Sequence, residues 1–103
     1  MRLPARLHIN HVTVDVQPCN DPALDGLADF DEGTISIRQR RNKQEEAQVL
    51  LHEAFHFLLY HNGINETKAI HASIDVISSG LLAMLQDNQE FRKYIMSVTR
   101  ERK

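Results

Sequence analysis

The sequence predicts an α+β fold, a small antiparallel sheet of about three strands followed by three helices. Three observations carry this expectation. Before residue 40 apolar and polar residues alternate at the two-residue period of half-buried strands. From Gln44 onward apolar residues recur at spacings of three and four, the period of a helix packed on one face. Clusters of Pro, Asn, Asp and Gly punctuate the boundaries between these segments. With 103 residues, 42% of them apolar and 25% charged, the chain suits one domain spanning 1–103 that forms a core without staples.

Leu7 and Ile9, then Val12, Val14 and Val16, alternate with polar residues. A phase slip at Asn10 and His11 reads as a bulge in one strand. Pro18 to Asp25 is a loop. Gly26 to Phe30 and Thr34 to Arg38 flank Asp31-Glu32-Gly33 as the two arms of a β-hairpin.

Gln44 to Asn62 is the clearest helix, with Ala47, Leu50, Leu51, Ala54, Phe55, Leu58 and Leu59 on one broad face. Asn42 is placed to cap it, Glu45 and Glu46 suit its positive end, and Asn62-Gly63 supplies a left-handed stop. A second helix is expected to open at Asn65, with Glu66 in its first turn, and to run through Ile70, Ile74, Ile77, Leu81 and Met84 to about Asp87. So short a turn makes the two helices antiparallel neighbours. Gln89 to Thr99 forms a third helix, and Arg100 to Lys103 a frayed tail.

The net charge of −2 exerts little long-range pull on nucleic acid. Arg38, Arg40, Arg41 and Lys43 make a local basic run, but no stacking aromatics are interleaved, so it reads as a solvated face and no nucleic-acid partner is expected. The one cysteine, Cys19, cannot form an internal disulfide and reads as an ordinary thiol of a reducing compartment. Two arginines at the N-terminus are followed by no apolar run. Neither a secretory signal nor a transmembrane span is expected, and the location that follows is cytoplasmic, with no membrane partner.

Chemistry concentrates at His52-Glu53-Ala54-Phe55-His56, an HExxH motif wholly inside the strongest predicted helix. Histidines four apart leave the same helical face, so both imidazoles can reach one zinc ion. Glu53 then stands beside the metal, placed to take a proton from a water on it and pass that proton to a leaving amine. The alternative makes His52 and His56 incidental helix histidines, each of which would need its own polar partner.

A catalytic zinc normally takes three protein ligands, and four residues are candidates for the third. His61 is turned about 140° from His56 around the helix and suits the negative helix end instead. No glycine follows His56 in the metzincin HxxGxxH pattern. In a helical hairpin His56 and His71 each lie about 9 Å from the turn, and His52 and Asp75 each about 15 Å. Glu66 would sit level with the turn and miss the ion. The expected third ligand is therefore His71, with Asp75 accepting from the free ring nitrogen of His52 or standing in as the alternative ligand.

The chain resembles the short ImmA/IrrE-type zincin-like metallopeptidases, many of them encoded in phages and prophages. The resemblance rests on the strand at 34–38, on the helix from Val49 to His56 with Gly63 after it, and on the segment from Leu85 to Phe91. Related gluzincins carry ExxxD on the next helix, whose glutamate binds zinc and whose aspartate braces a histidine. Here His71 and Asp75 occupy those places, so the aspartate agrees and the glutamate has become histidine, also a zinc ligand. The resemblance implies that a strand beside the site helix holds an extended peptide by β-augmentation, with Thr34 to Arg38 as the candidate edge. The plainer reading makes it a sheet strand with Ile35 and Ile37 facing the core.

The function expected on these grounds is zinc-dependent hydrolysis of peptide bonds, with Glu53 as general base and a protein or peptide as substrate. The alternative is a metal-stabilised binding or regulatory module that keeps the scaffold without efficient catalysis. An intact Glu53 favours the enzyme, since a structural metal needs no base beside it.

Overall fold

The computed structural model describes residues 2–39 and 42–100. Four strands come first, β1 (Arg6–Ile9), β2 (Val12–Pro18), β3 (Gly26–Asp29) and β4 (Thr34–Ile37). Three helices follow, α1 (Lys43–His61), α2 (Lys68–Asp87) and α3 (Gln89–Thr99). The α+β expectation holds, with two changes inside the sheet.

The first change is at Asn10-His11. Ile9 pairs directly with Val12, so the phase slip is a tight hairpin turn between two strands rather than a bulge in one. Asn10 takes the positive φ of 56° that such a turn demands, a conformation asparagine tolerates better than most residues. The second change is pairing direction. The spatial order β1-β2-β4-β3 makes β2 and β4 parallel neighbours, so the four-stranded sheet is mixed and not purely antiparallel. Residues 19–33 are long enough to carry β3 to the outside and return β4 alongside β2.

The 26–37 hairpin forms as expected, from Gly26 opposite Ile37 to Asp29 opposite Thr34. Ile35 and Ile37 leave the same face of β4 and are fully buried with Val14 and Phe57. Each such side chain contributes roughly 1.5–3 kcal/mol through burial. Phe57 faces the sheet from α1, and Phe30 stands edge-on to it at 4.9 Å while stacking on Tyr60 at 4.2 Å. α1 is thereby fixed over the sheet at its middle and near its C-terminal end.

Asn42 caps α1 through Oδ1, which accepts from the Gln44 and Glu45 amides at 3.0 and 3.2 Å. Gly63, at φ 70°, ends it, with the Ile64 amide donating to the Leu59 carbonyl at 3.0 Å. α2 opens three residues later than the spacing suggested. Thr67, not Asn65, is the cap, and its Oγ1 accepts from the Ile70 amide at 3.2 Å. Glu66 therefore belongs to the connection between the helices.

α2 buries Ile74 and Ser78, four apart on one face, while Val76, Ile77 and Met84 remain exposed. By length and composition alone α2 is apolar enough to cross a membrane, with a mean hydropathy of 1.3, a property the sequence reading had not expected. α3 has the predicted span, but no residue of it is buried, and it meets α2 alone among the described elements. Arg40, Arg41 and the last three residues of the expected tail lie outside the described residues.

Candidate metal centre

α1 turns Phe57 and Glu53 inward and leaves His52 and His56 on its flank toward α2. His52 Nδ1 lies 2.8 Å from Asp75 Oδ1 on α2. His56 Nδ1 lies 2.7 Å from Glu66 Oε2, just before α2 begins. The earlier histidine on α1 thus meets the later carboxylate, so the helices run in opposite directions, as the hairpin requires. His71 completes the group, its ring centroid 5.8 Å from that of His52 and 5.2 Å from that of His56. One ligand atom from each of His52, His56 and His71 lies within 4.8 Å of the other two.

The carboxylates bear on what those rings offer. A carboxylate only accepts, so Nδ1 of His56 must carry the proton of its hydrogen bond to Glu66, and the 2.8 Å contact with Asp75 favours the same arrangement at His52. In a neutral imidazole the other nitrogen, Nε2, then holds a lone pair. The two Nε2 atoms face each other at 3.0 Å. Opposed lone pairs at that distance repel unless a cation shares them, either a proton or a metal ion. Tetrahedral zinc at about 2.0–2.1 Å from nitrogen sets two ligand nitrogens about 3.3 Å apart, close to the observed separation. The donor set therefore fits a metal of the zinc type, with carboxylates behind two of the rings.

Glu53 is 8% exposed, and among the described residues its carboxylate has no hydrogen-bond partner. Burial pushes its carboxyl up from the ordinary value of 4.5; the charges of His52, His56 and His71 pull it part of the way back, and Glu66 pushes with burial. A buried carboxyl left unpaired beside three imidazoles is costly for the fold and suited to exchanging a proton.

Gly26 stands directly across from Glu53. A Cβ there would come 2.7 Å from Val49 Cγ1 and 3.1 Å from Glu53 Oε2, so only glycine lets β3 approach α1 this closely. A cleft of about 300 Å³ follows, bordered by Leu24, Gly26, Val49, His52, Glu53 and Asp75. Thr34–Ile37 is not its edge, because β4 lies between β2 and β3. Of the two edge strands, β1 and β3, it is β3 that borders the cleft, so the peptide-holding role implied for residues 34–38 does not fit their place.

His52, Glu53, His56, His71 and Asp75 lie together, with Asp75 Oδ1 2.8 Å from His52 Nδ1 and outside the group of three histidines. His61 is elsewhere, its ring against Phe57 and Tyr60. Glu66 was placed at the turn and discarded, yet it touches the second histidine of the motif. The signal that could have found it is Thr67, a cap residue three positions before the apolar periodicity that starts at Ile70, which leaves Glu66 on a loop free to fold back. Cys19 sits in the loop after β2 with its thiol toward the Asp21 carbonyl. No protein-family model, curated protein or solved structure matches the chain.

Proposed function

We propose that this chain is a zinc-dependent metallopeptidase of the short ImmA/IrrE-type zincin kind, acting on a protein or peptide. The observation that carries the reading is the convergence of His52, His56 and His71 beside an unpaired, buried Glu53. His52, His56 and His71 would hold the ion. Bound zinc supplies Lewis acidity, activating water and polarising a carbonyl.

The remaining chemistry belongs to the chain. Glu66 keeps the proton of His56 on Nδ1 and Asp75, 2.8 Å from His52 Nδ1, favours the same at His52, which would leave both Nε2 atoms free as lone-pair donors to a metal. Glu53 takes a proton from the attacking water and returns it to the leaving amine, a role its place beside the three histidines suits. The cleft between β3 and α1 is the proposed place for the substrate, whose backbone can pair with the outer edge of β3. Work in the cytoplasm suits a chain with a free thiol and no disulfide.

The test begins with metal content by mass spectrometry on tag-free protein. About one zinc per chain is expected, lost in His52→Ala and reduced in His71→Ala. Glu53→Gln should retain zinc and lose about 10²–10⁴-fold in cleavage of a fluorogenic peptide library. Equal turnover by Glu53→Gln and wild type would sink the base assignment. Zinc binding without any cleavage by wild type would leave the metal-stabilised binding module.

A further inference from the structure

We propose that Glu66 is a positioning residue that ties the histidines of the two helices together, an inference that rests on the metal centre described above. Its two oxygens divide between them. Oε2 is 2.7 Å from His56 Nδ1 on α1, and Oε1 is 3.6 Å from His71 Nδ1 on α2. One carboxylate thus spans the ligand contributed by the motif helix and the one contributed by its neighbour.

Glu66 is well held for this. Upstream, Gly63 and Ile64 are pinned to the end of α1 through the Tyr60 and Leu59 carbonyls, at 3.1 and 3.0 Å. Downstream, Thr67 caps α2. The carboxylate hangs between two fixed points, one residue from the cap. Its side chain is 23% exposed, whereas that of Asp75, which braces His52, is 65% exposed. Water screens the bond of Asp75 far more than that of Glu66. His71 is the most exposed of the three histidines at 56%, and Glu66 Oε1 at 3.6 Å is its nearest acidic neighbour among the described residues.

Two consequences follow. Without Glu66, His56 loses the acceptor that keeps its proton on Nδ1, and Nε2 is no longer held as a lone-pair donor. His71 also loses its link to α1. The loss in zinc affinity should be about 10–100-fold, the range for removing an acceptor behind a metal-bound histidine. Glu66→Gln should lose less than Glu66→Ala, because the amide oxygen still accepts from His56 Nδ1 while carrying no charge.

The experiment uses the full chain and two readouts. Zinc affinity is measured by chelator competition for wild type, Glu66→Gln, Glu66→Ala and His52→Ala. The proton position on His56 is read from imidazole nitrogen shifts in metal-free wild type and both Glu66 variants. Expected are protonation at Nδ1 in wild type and Glu66→Gln, loss of that preference in Glu66→Ala, and affinities falling in the order wild type, Gln, Ala. If Glu66→Ala does not fold, Glu66→Gln alone must still weaken zinc. Zinc binding by wild type with no change in either readout on losing Glu66 overturns this inference and spares the metal centre. Wild type taking up no more zinc than His52→Ala overturns the metal centre and this role with it.

Discussion

The sheet with α1 and the pair α2–α3 are built on opposite terms. Val14, Ile35, Ile37 and Phe57 are fully buried between sheet and α1, held from both sides. On the other half, Val76 is 71% exposed and Tyr94 and Met96 64% each, and no residue of α3 is buried. α2 is held to the rest by Ile74, Ser78 and the polar contacts of the histidine cluster. One half of the molecule is a conventional core. The other is a flap of helix for which the candidate site is one of the attachments. Residues that would bind the metal are therefore also residues that fasten the flap.

The largest expected effect follows from that asymmetry. Phe57→Ala should cost about 3–5 kcal/mol of unfolding free energy, the usual loss for a buried aromatic truncated in a packed interior. Val76→Ser and Met96→Ser should stay within about 0.5 kcal/mol. Urea unfolding followed by circular dichroism measures all three. A comparable loss at Val76 would mean that the outer face of α2 is covered in solution and that the contrast between the halves is false.

Zinc sharpens the comparison. If the ion bridges α1 and α2, saturation at about one hundred times its dissociation constant stabilises the fold by about 2.7 kcal/mol. The gain should not be uniform. Hydrogen exchange should slow most for α2 amides between Ile70 and Ser78 and least for β2 and β4, which the core already protects. His71→Ala should abolish the local part of that protection. Uniform slowing would place the ion within a unit that already opens as one.

Gly26→Ala tests the seam between β3 and α1 at the cleft, within the well-packed half. The added methyl meets Val49 Cγ1 at 2.7 Å, and Glu53 confines it on the other side. Overpacking of this kind costs about 1–3 kcal/mol. Because the displaced atoms border Glu53, cleavage should fall more than stability does. A variant with wild-type unfolding and wild-type turnover would show that β3 can move away from α1 without consequence.

How much of this was legible in the sequence depends on the kind of signal. α1 and α3 were readable nearly to the residue because period, cap and stop coincide in Asn42, Gly63 and the 89–99 stripe. The cluster was readable because helix rise places His71 and Asp75 level with His56 and His52, a matter of geometry that needs no alignment. The sheet was less so. Asn10-His11 lacks the glycine of a strong hairpin signal, and parallel pairing of β2 with β4 depends on a long crossover that no local pattern announces. The order of strands, which puts β3 rather than β4 beside the site, is likewise non-local. Glu66 was missed through a three-residue error in a helix start, which moved it from a loop that folds back to a helix that would point it away.

The smallest effect concerns Glu53 in the metal-free protein, and its sign is fixed by burial. Burial raises the Glu53 carboxyl above its ordinary 4.5, so between 4.5 and the raised value the folded protein keeps a proton that the unfolded chain has released. Stability is then fully present below 4.5 and is lost as pH rises through the folded value, since each step upward favours the state that binds fewer protons. Glutamine, neutral at every pH, has no such loss. With a chelator present, Glu53→Gln and wild type should unfold at the same urea concentration below pH 4.5, and the variant should be the more stable near neutrality. Zinc should shrink the difference, because a nearby cation favours the ionised carboxylate and offsets its burial. Equal stability of the metal-free proteins at neutral pH would mean that water reaches Glu53 freely and that burial does not raise its pKa.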